Sequence, residues 1–253
     1  MKIAVCIKQV PTREWQPRIR DDKTWIREDE VSYEMNEPDA YALEESLRLR
    51  EKHGGEVVVC SAGPARVQQV LREALARGAD RALHVEDASL GSADAFVSAG
   101  ALAAAMAGEQ FDLVLTGLQS DDQGHAQTGV VLAERLGMPH STIIMEVQVE
   151  SAQLRVKREL EGGWFQWIAM PMPALLTIQS GINQLRYATL KGIMAAKKKE
   201  IAKVAAPAGA TARQKIVGMY APQKSKQTVM IGGSPAEAAK ELVKRLREEA
   251  RVL

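Results

Sequence analysis

Short apolar runs separated by stretches of helical spacing leave a chain few ways to fold, and this sequence opens with four of them. They are Lys2–Val10 (KIAVCIKQV, rich in β-branched residues and stopped by Pro11), Glu56–Ser61 (EVVVCS), Arg81–Val85 (RALHV) and Phe111–Thr116 (FDLVLT). Runs of this kind suit strands buried on both faces of a parallel sheet. Between the first two, Asn36-Glu37-Pro38-Asp39 predicts a helix start. Asn36 is able to cap it, and Pro38 stands in the first turn, where its missing N–H costs nothing. Ala42, Leu43, Leu47 and Leu49 then recur at helical spacing up to His53, and Gly54-Gly55 closes the helix.

After a turn at Ala62-Gly63-Pro64, residues Val67, Val70, Leu71, Ala74 and Leu75 form the stripe of a second helix that ends at Gly78. Ala93–Ala107 is an alanine-rich helix able to pack closely on a sheet. The fourth run is followed by Gly117–Gly129 (GLQSDDQGHAQTG) and a helix over Val130–Leu136. This alternation implies an α/β fold with a doubly wound, mostly parallel sheet and right-handed crossovers.

Past Pro139 the character changes. Ser141–Val149, Gln153–Leu160 and Trp164–Met170 read as antiparallel strands with a hairpin turn at Gly162-Gly163. Ala174–Ile178 (ALLTI) is apolar enough to return to the sheet, which leaves the hairpin as an excursion on one edge. Arg13–Val31 has no clean period, and Thr24–Arg27 fits a short excursion strand. Thr177–Glu200 is polar and ends in the run Lys197-Lys198-Lys199, and it reads as a surface loop that meets another protein, although a lysine run is more often a solvated helix end. Ile201–Gly233 loosens into Ala, Pro, Gly and Lys and reads as an extended tail. Ser234-Pro235-Ala236-Glu237 then starts a last helix with Ala238, Leu242, Leu246 and Ala250 on one stripe. The expected division is 1–200 for the α/β domain, with its loop at 178–200, and 201–253 for the arm and helix.

With 33 basic against 32 acidic residues, the balance gives no support to nucleic acid or an anionic membrane as main partner. No stretch approaches the ~20 apolar residues of a membrane span, and no signal-peptide order is present, so a cytoplasmic or matrix location is expected. Cys6 and Cys60 sit inside apolar runs without CxxC spacing and read as buried thiols, not as a disulfide or zinc site. His84 stands alone in its strand and reads as a packed histidine.

In a doubly wound sheet, ligands collect beyond the carboxyl ends of the strands where strand order reverses. Of the polar segments that follow strands, Gln9–Thr12, Ala62–Pro64 and Gly117–Gly129, only the last is long and rich in hydrogen-bonding side chains. Gly124 and Gly129 would let its backbone approach a ligand, and Ala126-Gln127-Thr128 sit where free helix N–H groups hold a phosphate. Gln127 and Thr128 also fit an ordinary capping pair. Neither a Walker sequence nor GxGxxG is present. Asp121, Asp122 and His125 have no nucleophile or metal spacing beside them, so binding of a phosphate-bearing ligand is expected over catalysis, with no catalytic residue and no metal.

These pieces carry a resemblance. IAVCIKQVP, MNEPDAYALEESLRL, SAGP, EALARGADRALHV, LVLTGLQSDDQGHAQTGVVLAERLG and RYATLKGIMAAKKK together resemble the beta (small) subunit of the heterodimeric electron transfer flavoproteins, over nearly the whole chain. The resemblance implies a Rossmann-like, adenine nucleotide alpha hydrolase-like domain that pairs with an alpha subunit. That subunit would hold most of the redox FAD, while this one holds AMP, or a second FAD in bifurcating members coupled to NADH and ferredoxin. It implies electron shuttling from acyl-CoA-type dehydrogenases to a quinone oxidoreductase, without a reaction completed by this chain.

The family's AMP-contacting positions fall on Cys6, Asn36, Glu37, Pro38, Asp39 and Ala62, and on Gly117, Leu118, Gln119, Ser120, Asp121, Asp122, Gln123, Gly124, His125, Ala126, Gln127 and Thr128. Its partner-recognition loop falls on Ile178–Glu200 with Leu190 as anchor beside Arg186, Tyr187, Lys197 and Lys198, and Glu159 matches an acidic residue that pairs with a basic group of the alpha subunit. The arm and helix at 201–253 would dock on that subunit. Bifurcating members tend to carry an aspartate-glycine-aspartate-threonine set where this chain has Asp122-Gln123-Gly124-His125, and simple carriers tend to have further acids and an asparagine, against Gln123 and Ala126 here. The ending RYATLKGIMAAKKK leans towards AMP.

Overall fold

The computed structural model describes residues 1–29, 31–151, 153–209, 211–222 and 228–253. The chain divides into two compact units, Met1–Met219 and Tyr220–Leu253. The first apolar run becomes β1 (Lys2–Cys6), after which the chain leaves the sheet, and β2 (Gln9–Pro11) pairs antiparallel with β3 (Tyr33–Met35). The single strand expected over Lys2–Val10 is thus broken at Ile7 and Lys8. There the Ile7 N–H still bonds Cys60 O at 2.9 Å, but the Lys8 N–H turns to the carboxylate of Asp39 at 2.8 Å. The strand expected at Thr24–Arg27 is reduced to an isolated bridge between Ile19 and Ile26.

The alternation that follows is the expected one: α1 (Glu37–His53), β4 (Glu56–Gly63), α2 (Gln68–Arg77), β5 (Arg81–Glu86), α3 (Ala95–Met106), β6 (Leu113–Gly117) and α4 (Thr128–Leu136). Then come the antiparallel strands β7 (His140–Glu150), β8 (Gln153–Glu159) and β9 (Phe165–Pro171), followed by β10 (Ala174–Ile178), α5 (Leu190–Ala196) and β11 (Ile201–Val204). Among the described residues the main sheet has nine strands in the order β11-β5-β4-β1-β6-β10-β7-β8-β9. It is parallel from β11 to β7 and antiparallel from β7 to β9. The run ALLTI does return, inserting between β6 and β7, so the hairpin strands continue one edge of the same sheet.

Ile201–Val204, expected in the tail, is instead a strand in register with Ala82–Val85. It pairs the backbone of β5, which would otherwise present an open row of N–H and C=O groups. Along β1 the side chains alternate between two cores: Ile3 and Val5 pack with Leu43, Leu47 and Leu71 of α1 and α2, while Ala4 and Cys6 pack with Ala99, Leu102 and Leu132 of α3 and α4. The strand is buried on both faces, which is why its sequence shows no polar alternation. In the second unit, α6 (Pro235–Glu248) begins with the expected capping box between Ser234 and Glu237. No helix among the described residues is long and apolar enough to cross a membrane.

Candidate functional site

The chain runs from β1 outward to β4 and β5 on one side, and returns beside β1 as β6 on the other, so strand order reverses between β1 and β6. A cleft open to solvent lies at the carboxyl ends of these strands, where a doubly wound sheet collects ligands. Its walls are the ends of β1, β4 and β6 and the N-termini of α1, α3 and α4.

Of the positions singled out from the sequence, Cys6, Asn36, Asp39, Ala62, Gly117, Leu118, Gln119, Ser120, Gln123, His125, Ala126, Gln127 and Thr128 line this cleft. Glu37, Pro38, Asp121, Asp122 and Gly124 are not among its lining residues. Asp122 takes the ammonium of Lys8 at 2.6 and 2.8 Å, and the side chains of Ser120 and Gln123 accept from the same group at 3.2 Å each. The Asp121 carboxylate accepts the Glu37 N–H at 3.3 Å, and Glu37 pairs with Arg13. Gly124, at φ +63°, closes the turn by donating to Ser120 O at 2.8 Å. That left-handed conformation favours glycine.

Asn36 occupies the N-cap position of α1, but its side chain does not cap the helix. It spans the cleft loop instead: its amide donates to Gln119 O at 3.0 Å and its carbonyl accepts the Asp121 N–H at 2.9 Å. One turn on, the carboxylate of Asp39 accepts the N–H of Lys8 from the end of β1 and that of Gly117 from the end of β6, each at 2.8 Å. Burial pushes this carboxyl up to about 6, against the pull of those two N–H groups and of Asn36. A side chain at Gly117 would meet the backbone of Pro38 and Asp39 at 2.7 Å, so glycine there is what lets α1 close on β6.

Gly129 lines the cleft, yet the approach it permits is to the sheet. A Cβ there would lie 2.7 Å from both Thr116 Oγ1 and Thr177 Cγ2. Gln127 is the N-cap residue of α4, and its side chain makes no cap hydrogen bond. The capping-pair reading of Gln127 and Thr128 therefore does not hold, and the uncapped first turn of α4, Gln127 to Gly129, lines the cleft. Cys6 and Cys60 are buried, and burial raises both thiols, Cys60 to about 12, so both stay protonated. His84 is fully buried, with Nε2 at 3.1 Å from Gly63 O. No group of three His, Cys, Asp or Glu residues among the described residues could hold a metal. The arrangement can grip an anionic, part-apolar ligand; it has no activated nucleophile.

Sequence reading missed Lys8, and it missed Leu90, Gly91, Ala93, Ala95, Ser98, Leu102 and Thr116, all of which line the cleft. Lys8 had a signal: a lone cation at the end of an apolar run. The others are brought in by tertiary packing after β5.

The loop after β10 is firmly built. The Arg186 guanidinium binds Glu44 at 2.7 Å and Glu51 at 2.6 Å, both on α1, and Asn183 donates to Tyr41 O and to Glu45 at 3.1 Å each. Thr189 caps α5 by accepting the Gly192 N–H at 3.0 Å, and Arg72 donates to Ala196 O and Lys199 O at 2.7 and 2.6 Å. From this frame Tyr187 and Leu190 project 90% and 77% exposed, with Ile193 and Met194 beside them. Lys197 and Lys198 are exposed, whereas Lys199 turns back to Ala79 O. Glu159, on the hairpin, accepts from Gln179 at 3.0 Å.

Residues 24–209 match the family model described as "Electron transfer flavoprotein domain". This chain belongs to the electron transfer flavoprotein family, among its beta subunits. It is 38% identical to the electron transfer flavoprotein subunit beta of Methylophilus methylotrophus, over 98% of each chain. To that of Thermoanaerobacterium thermosaccharolyticum it is 37% identical over 97% of this chain and 98% of the relative, and to the human subunit 34% identical over 100% and 99%. Membership assigns the chain to electron transport and makes it part of a flavoprotein system.

Proposed function

We propose that this chain pairs with an electron transfer flavoprotein alpha subunit, which carries most of the redox FAD, and that it keeps AMP in the cleft as a structural ligand. The observation that carries the reading is the uncapped N-terminus of α4 facing a cleft at the switch point of the sheet. The residues fit such a ligand. Helix N–H groups with the hydroxyls of Thr128 and Ser120 suit a phosphate, and Leu90, Leu102 and Ala95 offer an apolar wall for a base.

Electrons arrive from acyl-CoA-type dehydrogenases and leave to a quinone oxidoreductase, and this chain makes or breaks no bond in passing them. Leu190, with Tyr187, Lys197 and Lys198, docks the dehydrogenase, Arg186 sets the loop that presents it, and Glu159 faces a basic group of the alpha subunit. Of the arm and helix expected at 201–253, the second unit, Tyr220–Leu253, docks on that subunit, and the complex works in the cytoplasm or a mitochondrial matrix. The test is cofactor extraction from the assembled heterodimer. One FAD and one AMP per pair is the expected yield; two FAD and no AMP overturns it in favour of a bifurcating complex coupled to NADH and ferredoxin.

A further inference from the structure

Asp94 has more hydrogen bonds than a helix cap requires. One carboxylate oxygen accepts the Val97 N–H at 2.8 Å and so caps α3. The other accepts the N–H groups of Arg213 at 2.5 Å and Gln214 at 2.9 Å, from a segment about 120 residues further along the chain. From there the Gln214 amide reaches Gln127 Oε1, at the start of α4, at 3.4 Å. The segment ends with Met219 N–H on Lys23 O at 2.8 Å. The Arg213 guanidinium also lies 5.1 Å from the centre of the Phe96 ring, which carries Arg135 at 4.2 Å. Ala93 and Ala95, on either side of Asp94, line the cleft, and so does Gln127; Arg213 and Gln214 are not among its lining residues. The segment therefore bridges the N-termini of α3 and α4 on the rim, without forming a wall of the site.

We propose that residues 211–219 are a strap across the rim of the cleft, and that Asp94 is the positioning residue that latches it and so sets how fast the ligand enters and leaves. This rests on the reading of the cleft as a nucleotide site. A strap that touches the rim and not the ligand changes the barrier to passage in both directions by the same factor, leaving affinity in place. A ligand contact would slow exit alone, and a merely structural residue would move affinity.

Asp94→Asn separates the two duties of the residue. Asparagine caps a helix as well as aspartate does, but its amide group sets a donor against the strap N–H groups. In the assembled complex, stripped of nucleotide, stopped-flow measurement with a fluorescent AMP analogue should show association and dissociation both faster by about tenfold, with the dissociation constant unchanged within about twofold. Arg213→Pro, which removes one of the strap's own donors, should reproduce the change. Wild-type complex that binds no AMP removes the nucleotide reading, and the strap with it. Binding with unchanged rates in Asp94→Asn, a loss confined to affinity, or an Arg213→Pro variant with wild-type rates overturns the strap and leaves the cleft standing.

Discussion

Asp39 joins the ends of β1 and β6 from the first turn of α1, and it does so at an electrostatic cost. Its carboxyl, pushed up to about 6 by burial, lies above the unfolded value, so the protonated form favours the fold. That contribution is complete below about pH 4 and is lost as pH rises through about 6, an amount of about 3 kcal/mol. Asp39→Asn, which cannot titrate, should show a fall in unfolding free energy between those pH values smaller than wild type by about that much, read from denaturant melts. Parallel curves would mean that another group carries the dependence. At Gly129 the constraint is steric. Thr116 and Thr177 are both buried and β-branched, so neither yields easily to a new methyl group. Gly129→Ala should cost about 1–3 kcal/mol and, by shifting the start of α4, weaken AMP binding, as melts and an AMP titration of the same preparation would show.

The segment between β10 and β11 divides its work between two side chains. Arg186 ties it to Glu44, whose carboxylate is 5% exposed and also pairs with Arg48, while Leu190 stands free. Arg186→Ala should cost about 1–2 kcal/mol, moderated because the guanidinium is partly exposed, and should speed amide exchange at Ile182–Ala188. Leu190→Ala should leave stability within about 0.5 kcal/mol and, on the docking role proposed for it, slow electron transfer from an acyl-CoA-type dehydrogenase, since an exposed anchor contributes to binding and not to the core. Unchanged electron-transfer kinetics with the partner would assign the loop another use.

On the scale of the whole molecule, the cleft gathers three strand ends and three helix starts, so a ligand there binds only the assembled fold. AMP at a hundred times its dissociation constant should raise the stability of nucleotide-stripped complex by about 2.7 kcal/mol, measured as a shift in the melting curve; no shift would speak against the site. The fold class, the order of the alternating elements and the loop Gly117–Thr128 were legible in the sequence, because burial on both faces, helical spacing and a polar stretch after a strand are local properties of the chain. They needed no knowledge of neighbours. The clamp of Lys8 on Asp122, 114 residues apart, the bridging role of Asn36 and the wall from Leu90 to Leu102 were decided by the tertiary structure alone. So were the insertion of β10 between β6 and β7 and the crossing of the chain to β11 at the far edge. Each depends on which distant backbone still has unpaired N–H and C=O groups, or on which side chains meet once the strands are ordered, and that is fixed by pairing in space and not by any pattern along the chain.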